Sequence, residues 1–194
     1  MLTFDEGSHT YRWSGVPVPS VTQCLSRLHD FGMVPQDVLQ AACERGTYVH
    51  KLCEFHDEGD LDAGSIGDFH PYLDAWIEFC NDYGAVWTGI EERHYSRRFA
   101  FAGTLDRRGT LRRIPGKWVI DVKTSVQAHR VWGMQLSAYR QLLFENEGSE
   151  WAMARRGSVQ LSKDGKYRFT EWSDPDDWPA FCALITLTNW SMKQ

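Results

Sequence analysis

The chain has 194 residues, about the length of one domain, and its 42% hydrophobic and 24% charged residues exclude a disordered or fibrous chain. No apolar run approaches the roughly 18 residues that span a bilayer. The opening MLTFDEGSHTYRW puts acids where a secretory leader carries basic and then apolar residues, so a cytoplasmic location without a membrane partner is expected.

The net charge of −5 is unevenly spread. Glu54 to Glu92 holds eleven acids and no Lys or Arg, whereas Arg93 to Arg113 holds seven Arg and one acid, Asp106. Local rather than total charge decides binding to a polyanion, so the arginine block reads either as a phosphate-tracking surface or as a solvated hairpin. The five cysteines are odd in number and form no CxxC pair, which argues against a disulfide framework or a zinc knuckle and for reduced thiols in a core.

In chain order, residues 2–13 alternate around Gly7-Ser8 and predict a β-hairpin. Gly15–Pro19 is a break, and Ser20 is placed to cap a helix through about His29. A second helix is expected from about Gln36 to His56, and a third to about Tyr83 with Phe69, Leu73, Trp76, Ile77 and Cys80 on one face. Val86 to Asp106 has strand and turn texture, with Asp106 ending a strand at a hairpin. Pro115-Gly116 reads as a turn, and WVIDVKTS reads as a strand. A helix from about Val131 to Glu145 follows, then strands around 151–161 and 166–172, then a helix opening with Asp174 as cap and Pro175 as its first residue. The order predicts an α/β fold with a mixed central sheet flanked by helices, in one domain over residues 1–194.

On a strand, Asp121 and Lys123 share a face, opposite Ile120 and Val122. Charges on an otherwise apolar strand need a partner or a metal, although an exposed ion pair would also serve. A hairpin would bring Asp106 beside Asp121, and two converging carboxylates suit Mg²⁺ or Mn²⁺. Asp106 could equally be a turn residue.

These parts resemble the PD-(D/E)XK nuclease superfamily, its RecB-like and phage-type exonuclease branch in particular. The residues that carry the resemblance are RGTYVHKLCE with His50, Gly103-Thr104-Leu105-Asp106, Asp121-Val122-Lys123, and Gln135-Leu136-Ser137-Ala138-Tyr139, with VPSVTQCL upstream. The match extends over about residues 17–143. It implies a restriction-endonuclease-like core and a metal held by His50, Asp106, Asp121 and the Val122 carbonyl. Lys123 would position or deprotonate the attacking water. Gln135 and Tyr139 would contact the DNA backbone or hold Lys123 in place. Glu54 is either a surface acid or a supporting partner, and the family's acid near Glu91 and Glu92 is left unassigned between those two.

Only Cys182 lies beyond position 80, so the iron–sulfur cluster of some relatives is not expected, and there is no Walker A sequence for a helicase in the same chain. The reading is therefore a metal-dependent deoxyribonuclease, an exonuclease rather than an endonuclease, in phage-type recombination or DNA end processing, with DNA and a single-strand annealing protein as partners. Arg97, Arg98, Arg107, Arg108, Arg112 and Arg113 would grip phosphates, and Trp87 or Trp132 would either stack on unpaired bases or join the core. A catalytically inert nucleic-acid-binding module on the same fold and a hydrolase of small phosphoesters are the alternatives. Oligomeric state is left open.

Overall fold

The computed structural model describes residues 1–28 and 35–192. Three short strands, β1 (Leu2–Asp5), β2 (Thr10–Trp13) and β3 (Val16–Val18), form an antiparallel sheet. The expected hairpin is present, and part of the expected break is its third strand. Ser20 caps α1 (Val21–Ser26) in a reciprocal arrangement with Gln23. The expected end of that helix near His29 lies outside the described residues. α2 (Gln36–Glu58) and α3 (His70–Tyr83) each end on a left-handed glycine, Gly59 and Gly84.

The main sheet runs β4 (Ala85–Ser96), β5 (Phe101–Leu111), β6 (Ile114–Lys123), β7 (Arg155–Leu161) and β8 (Tyr167–Glu171), in that spatial order. All neighbours are antiparallel except β6 and β7. A parallel pair needs a long crossover, and α4 (Val131–Glu147) supplies it. The fold is thus mixed α/β with helices on both faces of the sheet, as the element order predicts. Val21, Leu25, Phe101, Leu105, Val119, Leu142 and Phe181 form one buried layer, on the side of α1, α4 and α5 (Asp177–Ser191). Val49, Trp76, Phe79, Trp118, Ile120, Val122 and Val159 form the other, with α2 and α3. The alternation of β6 between these layers is the one its sequence dictates.

Three local expectations are corrected. The β5–β6 turn falls at Arg112-Arg113, and Pro115-Gly116 lies within β6. α5 begins at Asp177 because Asp174 is engaged beforehand: its carboxylate accepts from the Asp176 amide at 2.9 Å, and its carbonyl accepts from Arg156 Nη2 at 3.0 Å. Arg156 also pairs with Asp177 at 2.8 Å, tying the helix start to β7. Asp106 sits in the middle of β5, not at a hairpin.

Among the described residues, no helix is long and apolar enough to cross a membrane.

Candidate metal centre

The site forms where the sheet opens. The ladder between β5 and β6 stops at the pair Arg107–Ile120, and the next residues along the two strands are Asp106 and Asp121. The Val122 amide, without a β5 carbonyl to meet, donates instead to Asp106 Oδ2 at 2.7 Å. A carboxylate thus replaces a backbone partner, which keeps both the amide and the acid satisfied in a buried place. Opposite Asp106, Glu91 on β4 adopts a left-handed backbone with φ 48°. That conformation is costly for a residue other than glycine and gathers at functional sites.

His50 reaches the same point from α2. Its Nε2 lies 2.9 Å from the Val122 carbonyl, which can only accept, so Nε2 carries the proton. The other ring nitrogen, Nδ1, faces Asp106 Oδ2 at 3.5 Å. A metal-binding histidine is commonly oriented by such a bond from its other nitrogen. Ligand atoms of His50, Glu91 and Asp106 lie within 4.8 Å of one another, a group that could hold a metal ion. Of the two adjacent acids, Glu91 therefore belongs to the cluster, while Glu92 turns to Arg108. The Val122 carbonyl, expected as a ligand, accepts a hydrogen bond from His50 Nε2.

Asp121 stands beside this trio rather than within it. Its carboxylate is 2.5 Å from Lys123 Nζ, yet Oδ2 is buried without a hydrogen bond of good geometry. Lys123 Nζ donates to Gln135 Oε1 at 3.1 Å, and Gln135 Nε2 donates to the Tyr139 hydroxyl at 3.0 Å. Gln135 and Tyr139 are both buried, so in this geometry they hold the lysine. Glycine at Gly103 lets this chain pack, since a Cβ there would lie 2.9 Å from Tyr139 Cε1.

The electrostatics favour a cation. Burial, then the neighbouring Asp106, push the Glu91 carboxyl up to about 8 against the pull of Arg107. Burial pushes Asp121 up to about 6; Lys123 opposes this and Asp106 adds to it. The cleft of about 730 Å³ in which these groups meet is lined by six acids (Glu6, Glu54, Glu58, Glu91, Asp106 and Asp121) against Lys51, Arg93 and Lys123. His50, Glu91 and Asp106 offer one imidazole and two carboxylates, a donor set that could hold a metal ion, and the Asp121–Lys123 pair stands beside it. Glu54 lines the cleft and pairs with Lys51 at 2.8 Å.

None of the six named members of the arginine block lines the cleft; Arg97, Arg98, Arg112 and Arg113 are exposed, whereas Arg107 and Arg108 are engaged within the fold. Arg107 is 1% exposed, its Nε bonded to Asp57 at 2.6 Å and its Nη1 to Glu91 at 3.1 Å. Arg108 is held by Glu92 and Glu147. Arg97 and Arg98 lie at one end of β5 and Arg112 and Arg113 at the other, about 33 Å apart for eleven residues. The length of β5 separates the two exposed pairs, and alternation of faces separates Arg107 from Arg108. Trp132 is buried, and Trp87 stacks on Trp76 at 5.6 Å, so both belong to packing.

Sequence reasoning missed Asp57, whose buried carboxylate also accepts from Trp76 Nε1 at 3.0 Å. Its signal was its place seven residues after His50, on the same helical face.

No family model matches the chain, and no curated protein matches it. Among solved structures, it is similar to a protein of Eubacterium rectale described as a candidate exonuclease. That match has 13% identity and a TM-score of 0.47, and covers 74% of this chain and 64% of the other. It is also similar to the protein SSO0001, with 20% identity and a TM-score of 0.39, covering 66% of this chain and 59% of that one. The chain thus spans less than two thirds of the length of either.

Proposed function

We propose that the chain is a metal-dependent deoxyribonuclease of the PD-(D/E)XK type, an exonuclease acting in phage-type recombination or DNA end processing. The observation that carries this reading is the meeting of His50, Glu91 and Asp106 with the Asp121–Lys123 pair in one acid-lined cleft. The motif resemblance supports His50, Asp106, Asp121 and Lys123 independently of the geometry, and Glu91 enters through the geometry alone.

A divalent cation, when bound, polarises a phosphoryl oxygen and makes water nucleophilic near neutral pH. His50 Nδ1, Glu91 and Asp106 would hold it, with Asp121 adjacent. The chain's own residues do the remainder. The Val122 backbone fixes His50 and Asp106 at once, through its carbonyl and its amide. Lys123, steadied by Asp121 and Gln135, presents a positive charge to the scissile phosphate and holds the water that attacks it. Positioned charge of this kind needs no reorganisation during the reaction. DNA and, by analogy of motif, a single-strand annealing protein are the partners of this reading.

The test is degradation of end-labelled linear DNA by the purified chain with Mg²⁺ or Mn²⁺, beside Asp121→Ala and Lys123→Ala. Cleavage by the wild type that falls by at least about 100-fold in both variants supports the reading. DNA binding with no cleavage under either ion favours an inert module instead, and degradation of linear but not circular DNA marks an exonuclease.

A further inference from the structure

One wall of the cleft takes no part in phosphodiester chemistry. It is mainly aromatic, and it comes from the N-terminal hairpin: Phe4, His9 and Tyr11, with Glu6 of the same hairpin paired to Arg93 of β4 at 3.3 Å beside them. The Phe4 and Tyr11 rings are 4.5 Å apart, and the Arg93 guanidinium lies 4.7 Å from the Phe4 centroid. The exposed His9 ring stands nearly perpendicular to both rings, at 5.0 Å from Phe4 and 6.2 Å from Tyr11.

His9 has a left-handed backbone, with φ 49°. Histidine is one of the few residues besides glycine that are enriched in such turns, and here the turn holds the imidazole at the cleft. The wall is fixed to the metal-facing strand. The Tyr11 hydroxyl is 2.6 Å from Thr104 Oγ1, two residues before Asp106, and Trp13 stacks on Tyr95 at 4.5 Å.

Every nucleobase offers a π face, and an unpaired base offers it to a protein without first leaving a duplex. The cleft, about 730 Å³, falls in the range of roughly 300–1,000 Å³ that holds a small ligand rather than a double helix. We propose that the β1–β2 hairpin is a base-stacking subsite for an unpaired DNA strand, with the exposed His9 ring as its platform, Phe4 packed against it and the Arg93–Glu6 pair at its side. The identity of the ligand rests on the nuclease reading.

The test uses the full chain with Ca²⁺ in place of the catalytic ion and follows fluorescence anisotropy of a labelled oligothymidylate. An abasic strand of the same length and a blunt hairpin duplex are the comparisons. Removing the bases is expected to weaken binding roughly tenfold, and His9→Ala to erase most of that difference without altering thermal unfolding. Phe4→Leu, measured in parallel, is expected to act in the same direction; His9 is exposed, so its variant carries the test if Phe4→Leu does not fold. Equal affinity for strands with and without bases, unchanged binding by His9→Ala, or tighter binding of the blunt duplex each overturns the proposal. Base-dependent binding without cleavage under Mg²⁺ or Mn²⁺ would leave the platform standing and remove the nuclease; cleavage without base dependence would do the reverse.

Discussion

The imidazole of His50 and the carbonyl of Val122, 72 positions apart in the chain, meet at 2.9 Å. That contact selects the histidine tautomer and aims Nδ1 at Asp106 Oδ2. The amide of the same Val122 holds that Asp106 oxygen at 2.7 Å. One residue's backbone therefore sets two side chains of the candidate centre, and it can do so only because β6 has left β5 at this point.

His50→Ala is expected to weaken binding of Mn²⁺ by at least about tenfold, measured by titration calorimetry on the whole chain. The side chain is 30% exposed, so thermal unfolding in chelator should change little. Unaltered Mn²⁺ affinity would remove His50 from the centre.

Glu91 gives a pH dependence with a defined sign. Its carboxyl is raised from 4.5 to about 8 in the folded chain, chiefly by burial and then by Asp106. Between those values the folded state keeps a proton that the unfolded state has released, so stability falls as pH rises across that window. Asp121, raised to about 6, adds to the same slope in its lower half. In chelator, the melting temperature of the wild type should drop more steeply from about pH 5 to about pH 8 than that of Glu91→Gln. A divalent ion should flatten the wild-type slope, because the ion replaces the proton as the partner of the carboxylate. Parallel slopes for the two proteins would mean that Glu91 is not the titrating group.

Arg107 separates two readings of the arginine block. Its guanidinium is buried over Trp76 and bonded to Asp57, Glu91 and the Asp106 carbonyl. Removing one partner from a buried pair leaves an uncompensated charge, here Asp57 at 3% exposure, and costs about 3–5 kcal/mol. Arg107→Ala should therefore lower stability by that order in denaturant unfolding. A variant that folds as stably as the wild type and loses only salt-dependent DNA binding would instead return Arg107 to a phosphate-gripping role.

Periodicity made the helices and β6 legible, because each buries one face and the sequence repeats at 3.6 or 2 residues accordingly. The spacing of Asp121 and Lys123 likewise put them on one face before any coordinates. What the sequence hid was whatever depends on a break in regularity. Glu91 joins the cluster through a left-handed residue inside a strand, and Glu92, its neighbour with the same chemistry, faces Arg108 instead. Asp106 reads in the sequence as the end of a strand at a hairpin. It is mid-strand because β4 pairs with β5 along nearly its whole length. Charge counting failed for Arg107 for a related reason: its counter-charge, Asp57, comes from α2, fifty residues away in sequence.

Gly103 tests how tightly the lysine relay depends on packing. A Cβ at that position would lie 2.9 Å from Tyr139 Cε1, 3.1 Å from Val21 Cγ2 and 3.3 Å from Leu142 Cδ1, three neighbours with little room to yield. Overpacking of this kind costs about 1–3 kcal/mol. The ring of Tyr139 is the closest, so strain should fall first on its bond to Gln135 and then on the Gln135 contact with Lys123. Gly103→Ala is expected to lower the melting temperature and to depress any metal-dependent cleavage by more than it depresses Mn²⁺ affinity, since the nearest neighbours of the added methyl are Tyr139, Val21 and Leu142 rather than His50, Glu91 or Asp106. A Gly103→Ala protein with wild-type stability and wild-type cleavage would show that Tyr139 moves aside freely and that the relay does not hold Lys123.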